Sequence, residues 1–143
     1  MELYVLRHAI AVQRGTEGYE QDSDRPLTSK GRQKMERIAS AMQTLGLSFD
    51  LILSSPFLRA RQTADVVADV FGTGKNVELS EHLAVGGDPE SLVRELNSRF
   101  DSLKSVLIVG HEPYLSSLVS TLISGDPELS EYVRELKRRE FAQ

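Results

Sequence analysis

Val106-Leu107-Ile108-Val109, followed by Gly110-His111-Glu112-Pro113, joins a short run of branched apolar residues to a turn and a new segment. A run this short and without polar alternation predicts a strand buried on both faces, as in a parallel sheet. Leu3-Tyr4-Val5-Leu6 is a second such run and leads into Arg7-His8. Leu51-Ile52-Leu53 is a third and leads into Ser54-Ser55-Pro56. Val77 to Leu79 reads as a weaker fourth strand.

Helical patterns fill the intervals. After Pro26-Leu27-Thr28, Met35, Ile38, Ala39, Met42 and Leu45 form one apolar face, and Gly46 is placed to end the helix. In the next interval Ser55 is the expected N-cap and Pro56 the first helical residue, with Ala60, Ala64, Val67 and Phe71 buried and Gly72 at the end. That puts Arg59 in the first turn. The Gly86-Gly87 turn precedes a helix from about Pro89 to Phe100, and another follows Pro113 through Ile123. The order β-α-β-α-β-α-β-α predicts an α/β three-layer sandwich: a mostly parallel central sheet with helices on both faces. The last stretch, with Leu129, Tyr132, Val133 and Leu136 at helical spacing and Glu135 four residues before Arg139, predicts an amphipathic helix packed on its own domain.

Composition sets the outer bounds. A chain of 143 residues corresponds to one domain, expected over residues 1–143. At 40% hydrophobic and 27% charged it is ordinarily globular, and no stretch approaches the ~20 apolar residues of a membrane span. The net charge of −4 argues against nucleic acid and anionic membranes as partners. Cysteine is absent, which excludes disulfides and thiolate metal sites. The strand-like run beginning almost at Met1 leaves no signal peptide, so cytoplasmic residence is expected.

Ligands of open α/β sheets bind beyond the carboxyl ends of the strands. Those ends carry Arg7-His8, Ser54-Ser55-Pro56 with Arg59 soon after, and Gly110-His111-Glu112-Pro113. Two arginines, two imidazoles and helix N-termini suit a phosphate dianion, because guanidinium forks bind its oxygens and free N–H groups add partial positive charge. A neutral imidazole attacks phosphorus near pH 7, and nearby guanidinium charge keeps it neutral. His8 is therefore the expected nucleophile. Arg7 and Arg59 are expected to hold the equatorial oxygens, and His111 to donate a hydrogen bond to the transferring group. Arg61 is expected to be a solvated charge pairing with Asp65, and His82 a surface residue. No histidine spacing suggests a metal, so neither metal nor cofactor is expected. Gly72-Thr73-Gly74-Lys75 ends a helix instead of opening one and reads as a turn. A serine nucleophile at Ser54 or Ser55 lacks the strand-to-helix elbow such chemistry uses.

Leu6-Arg7-His8-Ala9, Arg25-Pro26-Leu27-Thr28 with Gly31, Ser54 through Ala64, and Val109-Gly110-His111-Glu112-Pro113 together resemble the histidine phosphatase (phosphoglycerate mutase-like) superfamily, most closely its SixA-type phosphohistidine phosphatases. The likeness runs in order from Met1 to about Gly125. It implies the same nucleophile, His8, and it implies that Arg25 approaches the phosphate pocket. Arg-His-Ala replaces the more usual Arg-His-Gly, and the charged stretch from Glu131 to Phe141 stands where relatives continue into a further strand. Mutase-like members carry a proton-donating Glu after the third strand. Here Glu81 lies near that position without the surrounding glycines and is not counted as catalytic.

The expected activity is that of a metal-independent phosphatase. Its leading substrate is phosphohistidine on a phosphorelay-type protein, with a small phosphate ester or a phosphoserine/threonine protein as the alternative and inorganic phosphate as product. A non-catalytic phosphate-binding module ranks last, because it gives His8 and His111 no task. Which nitrogen of His8 attacks is set by hydrogen bonds that a sequence does not display.

Overall fold

The computed structural model describes residues 1–72 and 77–125. The expected C-terminal helix, with Glu135 and Arg139, lies outside them, as do Thr73, Gly74 and Lys75 of the expected turn. The elements are β1 (Glu2–Arg7), α1 (Ser29–Thr44), β2 (Leu51–Ser54), α2 (Leu58–Phe71), β3 (Val77–Leu79), α3 (Pro89–Arg99), β4 (Ser105–Gly110) and α4 (Tyr114–Ser124). Short 3-10 turns occur at Asp22–Asp24 and Glu81–Leu83.

Among the described residues the strands form one parallel sheet in the order β1-β4-β2-β3. The alternation of strand side chains divides the core in two. Leu51, Leu53, Val106 and Ile108 face α3 and α4, where they meet Leu92, Leu96, Leu115 and Leu118. Ile52, Leu107 and Val109 face α1 and α2, against Met35, Ala39, Ala60, Ala64 and Val67. β4 is buried along its whole length, as its unbroken apolar run requires. The three-layer α/β sandwich is thus the observed architecture.

Local signals explain most boundaries. The Thr28 hydroxyl accepts the N–H of Gly31 and caps α1, and Gly46 takes a φ of 81° just past its end. Asp88 caps α3 through the N–H groups of Glu90 and Ser91, with Pro89 as its first residue. The start of α2 differs from the sequence expectation. Ser55 donates its backbone N–H to Val109 at 3.0 Å, continuing the ladder past β2, so residues 55–57 stay out of the helix and α2 begins at Leu58. Ser55 is not an N-cap, and Pro56 is not the first helical residue.

Candidate active site

Strand register brings the site together. Arg7 lies beside Gly110, and Ser54 beside Val109, so three strands end at one level of the sheet. The N–H of His8 bonds to Gly110 O at 3.0 Å, which sets His8 next to the residue preceding His111. Their ring centroids are 5.3 Å apart. Arg7, His8, Arg25, Arg59 and His111 all line one cleft of about 720 Å³, the five residues expected to share a site.

The loop after β1 is held by residues of the Ser54–Ala64 stretch that sequence reasoning left without a task. Ala9 donates its N–H to Thr63 Oγ1 at 3.0 Å, and Leu27 donates to Gln62 Oε1 at 2.8 Å. Thr28 N–H bonds to Ile10 O at 3.0 Å, and a Cβ on Gly31 would collide with that same carbonyl. Only glycine lets α1 begin so close to the loop.

His8 Nδ1 lies 2.7 Å from the carbonyl oxygen of Ala9. A carbonyl oxygen only accepts, so Nδ1 carries the proton and Nε2 keeps its lone pair. The Nε–H of Arg59 is aimed at that Nε2 across 3.4 Å. Burial lowers the pKa of His8, and the charges of Arg59, Arg7 and Arg25 lower it further, against the bond to Ala9. The ring is neutral and nucleophilic near pH 7.

His111 is only 2% exposed, and its Nε2 is bonded to the Ser55 hydroxyl at 2.7 Å. Ser55 also accepts the Phe57 N–H at 3.2 Å. His111 Nδ1 is buried and has no hydrogen-bond partner among the described residues. Burial, then the positive charge of Arg59, pushes the His111 pKa down to about 3.

The arginines differ in how they are held. Arg7, at the end of β1, is exposed, and its side chain makes no hydrogen bond or ion pair among the described residues. Arg59 is buried near the start of α2, and Arg25 is almost as enclosed. Both reach Asp22, a residue the sequence reading missed. Its signal was an acid three residues before Arg25, a spacing at which a tight turn brings the two side chains together. The bonds from Arg25 and Arg59 overcome burial and hold the Asp22 carboxyl below the usual carboxylate range.

Other expected residues fall outside the cleft. Arg61 and Asp65 are exposed but make no ion pair with each other. His82 is 47% exposed and lies 3.8 Å from Glu95. Glu81 lines a different depression, whereas Glu112 lines the wall of the site. Among the described residues no cluster of three or more His, Asp or Glu is placed to hold a metal.

The family model of the histidine phosphatase superfamily (branch 1) matches residues 3–84, more than half of the chain and including His8, Arg25 and Arg59. The chain belongs to the histidine phosphatase superfamily. An uncharacterised protein of Picosynechococcus is 38% identical over 127 residues, covering 87% of this chain and 74% of that protein. Phosphohistidine phosphatase SixA of Escherichia coli is 29% identical over 127 residues, covering 88% and 76%. The solved structure of the protein histidine phosphatase SixA with tungstate superposes with a TM-score of 0.78 at 29% identity, over 88% of this chain and 79% of that one. Its superfamily and its likeness to SixA make it a phosphatase.

Proposed function

We propose that the protein hydrolyses phosphohistidine on a phosphorelay-type protein partner in the cytoplasm, through a phosphoryl group carried on His8 within a single catalytic domain. In this reading the lone pair on His8 Nε2 attacks phosphorus and the bond to the substrate imidazole breaks. Arg7, Arg25 and Arg59 hold the equatorial oxygens, and His111 donates from Nδ1 to one of them. Water then attacks phospho-His8 and releases inorganic phosphate. Tungstate, a tetrahedral oxyanion like phosphate, is the ligand in the related SixA structure.

The observation that carries the substrate assignment is the state of Glu112, the one carboxylate on the cleft wall among the described residues. Its Oε2 accepts the hydroxyl of Ser116 at 2.8 Å and the N–H at 3.4 Å, at the start of α4. An ester expels an alkoxide that needs a proton, and a positioned acid is worth about 10² to 10⁴ in rate. Phosphohistidine expels a neutral imidazole when its other ring nitrogen carries a proton, and imidazole takes that proton from solvent at about pH 6.5 without a positioned acid. The mouth of the cleft also suits a protein surface: Ile10, Ile38 and Val85 line it at 45%, 46% and 51% exposure, with Lys34 and Arg14 beside them.

A second reading rests on Glu112 Oε1, which makes no hydrogen bond among the described residues. It would let Glu112 protonate a small phosphate ester. Measuring a phosphohistidine protein and an alkyl phosphate under the same conditions separates the two. The proposal expects at least about 10² in kcat/KM in favour of phosphohistidine, the low end of what a missing acid forfeits. Equal or better turnover of the ester, lost in Glu112→Gln, would establish the second reading.

A further inference from the structure

Each guanidinium has five N–H groups. Arg59 directs Nε at His8, one terminal nitrogen at the Asp22 carbonyl oxygen at 2.7 Å, and the other at Asp22 Oδ2 at 3.0 Å. Arg25 gives Nε and one terminal nitrogen to Asp22 Oδ1 at 2.9 and 2.7 Å, and the other terminal nitrogen to Val12 O at 2.6 Å. Three donors of each arginine are thereby fixed and two remain. Asp22 does not line the cleft that Arg25 and Arg59 line, so its carboxylate grips them from outside the phosphate space.

We propose that Asp22 is a positioning residue: its carboxylate splints Arg25 and Arg59 into one rigid oxyanion receptor. This rests on the reading that the two arginines receive the phosphoryl group. Two facts support it beyond the contacts themselves. Arg59 is 3% exposed, and a guanidinium so buried needs a carboxylate to offset its desolvation. Arg25 and Arg59 also repel each other, and one carboxylate shared between Oδ1 and Oδ2 fixes their separation. Asp22 sits in a 3-10 turn 37 residues before Arg59, so the splint ties the loop after β1 to the start of α2.

A splint predicts a specific kinetic signature. Removing the carboxylate makes the pocket more positive, so binding of the phosphate dianion survives. The loss falls on the transition state, which demands exact placement. Asp22→Asn is expected to lower kcat about 10- to 100-fold, the scale of an ångström misplacement, with KM and the inhibition constant of inorganic phosphate changed by less than about threefold. Asp22→Glu, which keeps the charge, is expected to recover part of kcat. Unchanged or raised kcat in Asp22→Asn would overturn the proposal, a rise meaning that Asp22 competes with phosphate for the arginines.

Arg59→Ala, measured beside it, separates the two levels. An inactive Arg59→Ala with a fully active Asp22→Asn rejects the splint alone, whereas full activity in both rejects the site reading. Should Asp22→Asn not fold, the wild-type protein still decides. Slow solvent exchange of the Arg25 Nε–H and the Arg59 terminal N–H resonances, with and without tungstate, supports the splint, and fast exchange of both overturns it.

Discussion

Arg59 points its Nε–H at Nε2 of His8 across 3.4 Å, so a buried guanidinium faces the nitrogen that bears the lone pair. A proton on that nitrogen would meet a guanidinium at close range. The contact therefore keeps Nε2 bare, and the same arginine is in place to meet the charge that develops when phosphorus arrives there.

Removing Arg7 and removing Arg59 are expected to have similar kinetic but different structural consequences. Each alanine variant should lose about 2 to 4 kcal/mol of transition-state stabilisation, or about 30- to 1,000-fold in kcat/KM. The Arg7 side chain is exposed and unbonded, so Arg7→Ala should melt like the wild type. Arg59→Ala removes two bonds to Asp22 and should cost on the order of 1 to 3 kcal/mol of stability. Steady-state kinetics and thermal melts on both variants check this. A loss below tenfold would place that arginine outside the chemistry.

The burial of His111 makes stability depend on pH. In the fold this ring resists protonation down to about 3, whereas in the unfolded chain it titrates near 6.5. Between those values the unfolded chain holds a proton that the fold refuses, so stability rises with pH through that window. Melting temperature should fall as pH is lowered from about 7 to about 4, and it should fall less steeply in His111→Gln. His8, lowered in the same direction, adds to the slope. Asp22 adds its share only as pH falls below the ordinary carboxylate pKa near 4. A melting temperature that does not fall over this range would contradict the placement of His111.

Chelation should leave activity intact. Positive charge at the site is supplied by Arg7, Arg25 and Arg59, so the electrostatic task of a divalent ion is already filled. Activity assayed after exhaustive treatment with EDTA is expected to match the untreated enzyme. A strict requirement for added divalent metal would contradict it.

The strands were legible because their signals are local. β4 is a continuous apolar run, and even the three-residue β3 coincides with Val77–Leu79. His8, Arg59 and His111 were legible because each ends a strand or starts the helix after it, and the sheet brings those positions to one edge. The role of Arg25 came from family resemblance alone, since a loop residue has no periodicity to place it. Asp22 was missed for a related reason: its bond to Arg59 depends on how the loop after β1 folds back, which no local pattern encodes. Ser55 was misread because two outcomes share one signal. A serine before proline suits a helix cap, but here the ladder bond to Val109 holds its backbone extended and its hydroxyl serves His111.

The central claim is a phosphoryl group on one nitrogen of one residue, and trapping it tests that claim most directly. Turnover of a phosphohistidine substrate, quenched rapidly without acid and digested, should yield a single phosphorylated peptide containing His8. NMR of the quenched protein should place the phosphoryl group on Nε2, because Nδ1 is engaged by Ala9 O. His8→Ala should show neither the adduct nor the activity. Turnover by His8→Ala at the wild-type rate, or a phosphoryl group found on a serine, would contradict it.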